Sequence, residues 1–205
     1  MNTKKVLFRL ACVIGVGVLV IVGALYLGLP NSTRPEAEQY AVYSAYLEEG
    51  VNGDSPRPVD RRDSAVIIST TIPINAEEVR RLSTTERWRD SLRLVRYLQE
   101  VADPPSRELR WNLFRVNLWT HELDRSFKLS GEYKVVDPTW LLTPRSRRQS
   151  DGFHQFSSVA FTHDLTEALF YTEYGCSLCG RGQYVRMRRT EGKWKVVKRY
   201  VIWVS

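Results

Sequence analysis

The chain has 205 residues, 43% of them apolar and 11% aromatic, and a formal net charge of +7. This composition excludes an intrinsically disordered chain, because a disordered chain cannot bury enough apolar surface to offset the entropy of ordering. Three basic residues and no acidic residue precede position 30, which leaves a charge of +4 for the rest of the chain. A net charge of that size does not by itself indicate a nucleic-acid-binding protein.

The first predicted element is a membrane-spanning helix at 10–29, a stretch of twenty residues without a charged side chain. At about 1.5 Å per residue, it matches the hydrocarbon core of a bilayer, which is roughly 30 Å thick. Three basic residues precede it, namely Lys4, Lys5 and Arg9. The positive-inside rule therefore places residues 1–9 in the cytoplasm and one folded domain, residues 30–205, on the outer side of the membrane.

A cleaved secretory signal is the alternative interpretation of the same segment. Signal peptides also begin with basic residues and end at small ones, and Val22-Gly23-Ala24 has the small side chains of a cleavage site. Both interpretations export the domain, so the sequence predicts an extracytoplasmic location in either case.

The exported region begins with helical patterns. Thr33 and Glu36 form a capping box around Pro35, and apolar residues at helical spacing continue toward Gly50. The β-branched run at 64–71 indicates a buried strand. Further helices are expected at 75–82, 85–101 and 106–127, and a short strand is expected at 133–136.

From residue 156 onward, the pattern changes to strands separated by turns. Four antiparallel strands are expected, at 156–161, 168–174, 183–189 and 193–204. One face of these strands is apolar and suits packing against the helices. The sequence therefore predicts an α+β fold, with helices on one face of a C-terminal antiparallel β-meander, as in cystatin-like and nuclear-transport-factor-like folds.

A two-residue turn at Glu191-Gly192 is expected to set the pairing of the last two strands, with Arg188 opposite Lys195. Without interruption, that register collects four basic residues on one face of the hairpin, namely Arg186, Arg188, Lys195 and Arg199. Three interpretations of this face stay open: a solvated sheet surface, a site for an anionic partner, and a surface for anionic lipids. Nucleic acid is not an expected partner outside the cell.

Cys176 and Cys179 form a Cys-x-x-Cys motif in the loop between the second and third of these strands. A disulfide is expected, because the domain is predicted to lie outside the cytoplasm. A thioredoxin-like redox pair is a second interpretation, but such pairs obtain a low thiol pKa at a helix N-terminus, and here strands are expected on both sides. A zinc site is a third interpretation, and it would need His154 or His163 as further ligands.

Several motifs occur together in the C-terminal region: Phe156-Ser-Ser-Val-Ala-Phe161, Cys176-Ser-Leu-Cys-Gly180, Gly182-Gln-Tyr184, Gly192-Lys-Trp194 and Trp203-Val-Ser205. With them the chain resembles an uncharacterised bacterial family of short secreted or membrane-anchored proteins. That family carries a Cys-Gly-x-Leu-Cys-Gly-x-Gly-x-Tyr loop, a Gly-Lys-Trp turn and a final Trp-Val-Ser or Trp-Ile-Ser. Ser177 stands where the family often has glycine. The resemblance implies no activity, cofactor or catalytic residue.

The residues themselves show no catalytic constellation and predict no cofactor or metal. The chain has neither a glycine-rich phosphate loop nor a G-x-S-x-G elbow, and nothing in the spacing places a cysteine nucleophile beside His163 and Glu173. The sequence therefore predicts a non-enzymatic, membrane-anchored interaction module, whose hairpin tip and basic face contact another component of the cell envelope. The alternative is an envelope thiol-disulfide redox factor, or another enzyme, that uses Cys176 and Cys179.

Overall fold

The computed structural model describes residues 36–53, 65–71, 96–117, 121–142, 152–176 and 179–205. Within it, Ala37–Ser205 forms one compact unit. The predicted membrane span at 10–29, its possible cleavage site and the helices predicted at 75–82 and over most of 85–101 lie outside the described residues. Among the helices that are described, none combines the length and the apolar character needed to cross a bilayer. The described fold therefore contains no transmembrane helix.

The described part of the chain forms a seven-stranded sheet with few helices. Its elements, in chain order, are α1 (Glu36–Gly53), β1 (Ala65–Ile68), a helical stretch at 96–100, α2 (Arg107–Val116), β2 (Tyr133–Val136), a 3-10 helix (Pro138–Leu142), β3 (Phe153–Phe156), β4 (Ala160–Phe161), β5 (Glu167–Gly175), β6 (Gly180–Thr190) and β7 (Lys193–Val204).

The sheet is mixed, so the predicted antiparallel meander is wrong as a description of the fold. Its strand order is β2-β1-β3-β5-β6-β7, with β4 also paired to β5. β1 runs parallel to both β2 and β3, and only the pairs from β3 onward are antiparallel. Parallel strands need a long crossover between them, and such pairing leaves no signal in the local sequence pattern. The expected likeness to cystatin-like and nuclear-transport-factor-like folds depended on that meander and is therefore also wrong.

Helices cover both faces of the sheet, which corrects the prediction that they lie on one face. Along β5, Ala168 and Phe170 belong to the core under α1, whereas Leu169 and Tyr171 belong to the core under α2. Successive side chains of a strand point to opposite faces, so these are two separate cores. The run of five buried residues in β5, which ends at Thr172, is covered on both sides for this reason.

Helix α1 is enclosed between the sheet and the irregular segment 121–130. On the sheet side, the Tyr43 ring stacks on Phe156 with the centroids 4.6 Å apart, and its hydroxyl donates to the Ser157 carbonyl at 2.6 Å. On the other side, the Asp124 N–H donates to the Tyr40 hydroxyl at 2.7 Å and the Lys128 N–H donates to the Ser44 hydroxyl at 2.8 Å. The predicted helix is confirmed, but it is buried on two sides, by the sheet and by segment 121–130, and not along one apolar face only.

The strand predicted at 156–161 is interrupted at Ser157, Ser158 and Val159, between β3 and β4. The Ser157 hydroxyl replaces a backbone acceptor there, because it accepts from the Tyr171 N–H at 2.8 Å. The Asn117 side chain donates to the Ser158 carbonyl at 3.1 Å and accepts from the Ser158 N–H at 2.8 Å. Side chains thus satisfy buried backbone groups that a continuous strand would pair with its neighbour.

Helix α2 is shorter than the helix predicted at 106–127. Ser106 caps its start, since the Ser106 hydroxyl accepts from the Leu109 N–H at 3.2 Å. Asn117 ends it: its side chain donates to the Leu113 carbonyl at 2.9 Å and also holds Ser158. The apolar residues that follow, Leu123 and Phe127, pack against α1 instead of continuing α2.

Candidate interaction site at the tip of the sheet

The turn at Glu191-Gly192 is confirmed as a two-residue turn, with Thr190 opposite Lys193. Both turn residues have positive φ values, 53° and 77°, and such a turn matches the right-handed twist of a hairpin. Arg188 lies opposite Lys195 as predicted, but the register shifts between Arg186 and Met187. Val197 is the extra residue of this β-bulge.

The bulge redistributes the four basic residues that the sequence placed on one face. Arg186, Arg188 and Lys195 share the face covered by α2, while Arg199 pairs with Val185 and lies on the opposite face. A one-residue shift reverses the direction of every following side chain. Three of the four predicted residues therefore share one face, and the fourth, Arg199, lies on the other. The extra residue is a valine, and neither glycine nor proline, so the local sequence does not indicate a bulge there.

Glu167, which the sequence analysis did not single out, binds two of these arginines. Its carboxylate accepts from Arg186 at 2.9 Å and from Arg188 at 2.7 Å. Burial acts to raise the pKa of Glu167, but the hydrogen bonds and charges of the two arginines outweigh it and hold the pKa below its usual value. This one carboxylate therefore offsets part of the positive charge on this face.

Cys176 and Cys179 are joined by a disulfide, with the sulfur atoms 2.07 Å apart. The bond closes the loop between Gly175, where β5 ends, and Gly180, where β6 begins. The Cys176 N–H also donates to the Cys179 carbonyl at 2.7 Å. Strands flank the pair on both sides, as expected, so the pair lacks the helix N-terminus that lowers the thiol pKa in thioredoxin-like motifs. The described residues contain no cluster of three or more histidine, cysteine or acidic side chains that could hold a metal.

Trp203 lies across two glycines of β6, next to the disulfide. A Cβ atom at Gly182 would come within 2.1 Å of the Trp203 Nε1 atom, and a Cβ at Gly180 within 2.7 Å of the Trp203 ring. Both positions therefore require glycine, because the indole occupies the space that a side chain would fill. This contact explains physically why Gly180, Gly182 and Trp203 occur together in the sequence.

Hydrogen bonds hold Trp203 in this position. Its Nε1–H donates to the Tyr171 hydroxyl at 3.0 Å, and that hydroxyl donates to the Glu173 carboxylate at 2.8 Å. Beyond it, Ser205 and Gly180 exchange two backbone hydrogen bonds, at 3.0 and 3.3 Å. The end of β7 is thus tied to the start of β6. We call this region, made of Cys176, Cys179, Gly180, Gly182 and residues 201–205, the tip surface.

The tip surface carries most of the exposed large apolar side chains of the described residues, and we call this set its apolar patch. Five of their seven exposed large apolar side chains lie on β7, and four of these are in the tip surface: Val201, Ile202, Trp203 and Val204. Val204 is 65% exposed. A second register shift, between Gly182 and Gln183, makes Ile202 an extra residue in β7.

His163 and Glu173, which a cysteine nucleophile would need nearby, lie at opposite ends of β5. His163 stands in the turn before β5, where its N–H donates to the Glu108 carboxylate at 2.7 Å. The adjacent Asp164 accepts from the Thr166 N–H at 3.1 Å, as turn aspartates do. A shallow cavity of about 310 Å³ lies beside this turn. Glu173 is at the tip end of the strand, so in the described part of the chain His163 is not brought together with Glu173 and the cysteines.

His154 lies in β3, beside the tip; its ring stacks on Phe156 at a centroid distance of 6.1 Å and makes a tilted contact with Tyr174 at 5.0 Å. Its Nδ1 atom is buried and has no hydrogen-bond partner among the described residues. Burial disfavours the charged imidazolium and lowers the pKa of His154 from 6.5 to about 4.

We expect this histidine to make the domain less stable in mild acid. In the unfolded chain, His154 is protonated below pH 6.5, whereas in the folded chain it stays neutral until the pH approaches its pKa of about 4. The free energy of unfolding therefore falls as the pH decreases through that window. The loss between neutral pH and pH 5 is about 2 kcal/mol. Urea unfolding at a series of pH values measures it. His154→Gln should remove most of this slope, and an unchanged slope in that variant would contradict the assignment.

Comparison with known proteins adds no relatives: no protein-family model, no curated protein and no solved structure matches the chain. The structure itself therefore defines the class of protein. It is a domain built on a mixed seven-stranded sheet with helices on both faces, and its tip combines a disulfide, a glycine-supported tryptophan and an exposed apolar patch.

Proposed function

We propose that this chain is a non-enzymatic binding module of the bacterial cell envelope, and that its tip surface contacts another envelope component. The observation that carries the proposal is the exposed apolar patch of Val201, Ile202, Trp203 and Val204. Exposed apolar side chains cost free energy in water, and contiguous patches of them mark interaction sites. Here the patch is held in place by the bonds of Trp203 and Ser205.

The location outside the cytoplasm is part of the proposal and has two supports. The apolar segment at 10–29 predicts export, whether it is retained or cleaved. The disulfide of Cys176 and Cys179 is compatible with an oxidising compartment. The resemblance to a bacterial family of secreted or anchored proteins is also a proposal, and its signature residues Gly180, Gly182 and Trp203 meet at the tip.

Site-specific photo-crosslinking tests the proposal in intact cells that express the full-length chain. A photoreactive residue at Val204 should give a discrete crosslinked species, because this side chain is the most exposed of the patch. The matched control is the same residue at Glu191, in the exposed turn at the other end of the same hairpin. Crosslinking that is absent at Val204, or equal at both positions, would overturn the proposal.

The redox alternative is separated by the state of the cysteines. A structural disulfide should stay oxidised in cells when the free thiols are trapped by alkylation, whereas a redox factor should show a fraction of reduced Cys176 and Cys179. The flanking strands favour the structural role, because no helix N-terminus is present to stabilise a thiolate. A substantial reduced fraction would favour the redox factor.

A further inference from the structure

β7 is the last strand of the sheet order, and its outer side pairs with no other strand of the described chain. The N–H and C=O groups along such an edge are a template for one more strand. Proteins that do not use an edge in this way protect it with charged side chains or cover it with other elements. The two halves of β7 differ in this respect.

The first half of β7 is protected. The Val196 N–H donates to the Glu49 carboxylate of α1 at 2.9 Å, so a backbone donor that faces away from β6 is already satisfied. The Trp194 Nε1–H donates to Glu38 of the same helix at 3.0 Å. Lys193 and Lys195 add exposed charges. An incoming strand would have to displace α1 side chains here.

The second half of β7 lacks these protections. Residues 200–204 include no charged side chain, and no described hydrogen bond from α1 reaches them. Val201 and Ile202 are 44% and 43% exposed. Apolar and β-branched residues on an exposed edge are what an added strand packs against. The bulge at Ile202 bends the strand, which limits the added strand to a few residues.

Charge identifies the kind of partner. The β6–β7 hairpin carries eight basic residues between Arg181 and Arg199 and a single acid, Glu191. Three described acids pair with the hairpin: Glu38 with Arg189, Glu167 with Arg186 and Arg188, and Asp103 with Arg186. A second copy of the chain would bring two basic hairpins together, which is unfavourable, whereas a segment with carboxylates is attracted.

We infer that residues 200–204 of β7 receive an extended, acidic segment of a partner protein, which adds to the sheet as a further strand. This inference rests on the proposed binding function and specifies how the tip surface binds. Backbone hydrogen bonds supply affinity, alternate apolar side chains of the partner meet Val201 and Ile202, and its carboxylates meet the basic hairpin. Recognition therefore depends on backbone N–H groups of the partner.

The probe is an octapeptide of alternating valine and glutamate, added to the full-length chain in a mild detergent. Binding should slow hydrogen exchange at the outward-facing amides of residues 200–204 by about tenfold, since each added hydrogen bond protects a backbone amide. The same peptide with alternate amides N-methylated keeps its charges and side chains but cannot donate. It should bind about tenfold more weakly, as expected from losing a few backbone hydrogen bonds.

Two lysine substitutions at the two bulges provide matched variants. Ile202→Lys places a charge in the open half and should weaken peptide binding about tenfold, although it adds a positive charge. Val197→Lys adds the same charge at a position 41% exposed, beside the protected half, and should change binding less than about twofold. Stronger binding by Ile202→Lys would show attraction by charge alone and overturn strand addition.

The remaining outcomes are equally decisive. Equal binding of the N-methylated peptide, or no protection of the outward-facing amides of residues 200–204 at millimolar peptide, would overturn strand addition. Binding to phosphatidylglycerol vesicles without binding to the peptide would replace the partner segment with a lipid surface. If Val204 crosslinks in cells but these peptide results are negative, the binding module stands and only strand addition fails. If Val204 gives no crosslink either, the proposed function fails as well.

Discussion

Replacing Asn117 with alanine is expected to lower the free energy of unfolding by about 3 kcal/mol. The side chain is buried and makes three hydrogen bonds, one to Leu113 and two to the backbone of Ser158. Its removal leaves the Ser158 N–H and C=O without partners in the interior, and each unsatisfied buried group costs about 1–3 kcal/mol. Urea unfolding followed by circular dichroism measures the loss.

The matched control is Asn112→Ala, a change of the same residue type in α2. Asn112 makes one described hydrogen bond, to the Phe161 carbonyl at 2.8 Å, in a partly buried position. Its loss should cost about 1 kcal/mol. Equal destabilisation by the two variants would contradict the view that Asn117 supports the break between β3 and β4.

Replacing Gly182 with alanine is expected to displace Trp203 and to destabilise the domain by about 2 kcal/mol, the usual cost of forcing extra atoms into a packed site. The new methyl group would lie 2.1 Å from the Trp203 Nε1 atom and 2.3 Å from the Tyr171 hydroxyl. The indole must therefore move, and its hydrogen bond to Tyr171 breaks. Near-ultraviolet circular dichroism and urea unfolding measure both effects.

Gly131→Ala is the control for that substitution. A Cβ atom at Gly131 meets no other atom within 4 Å, so the variant should keep the spectrum and stability of the parent. If Gly182→Ala retains the parental spectrum, the close packing of Trp203 on β6 is incorrect. Loss of the Val204 crosslink in Gly182→Ala would further tie the position of Trp203 to binding.

Elements with a strong local pattern were predictable from the sequence. The turn at Glu191-Gly192 needs positive φ angles, and glycine at its second position indicates such a turn. The helix that ends at Gly53, the strand at Ala65–Ile68 and the disulfide loop were predictable for similar reasons, since helical periodicity, β-branching and cysteine spacing are short-range signals.

The arrangement of these elements was not predictable in the same way. The parallel pairing of β1 with β2 joins residues more than sixty positions apart, and neither strand carries a mark of its neighbour. The two bulges of β7 arise from its fit to β6: one moves Arg199 off the basic face, and the other makes Ile202, which is exposed, an extra residue of the strand. Glu167 became visible as the partner of Arg186 and Arg188 only once the sheet had brought the strands together.

By itself, the sequence determined the local units of this protein: α1, the strands of the C-terminal region, their turns and the cysteine pair. These follow from short-range backbone preferences and from the alternation of apolar residues. Tertiary structure alone decided the mixed sheet, the two cores and the tip surface, because those depend on contacts between residues far apart in the chain. Trp203 on Gly180 and Gly182 shows the difference: the residues are visible in the sequence, but their contact appears only when β7 pairs with β6.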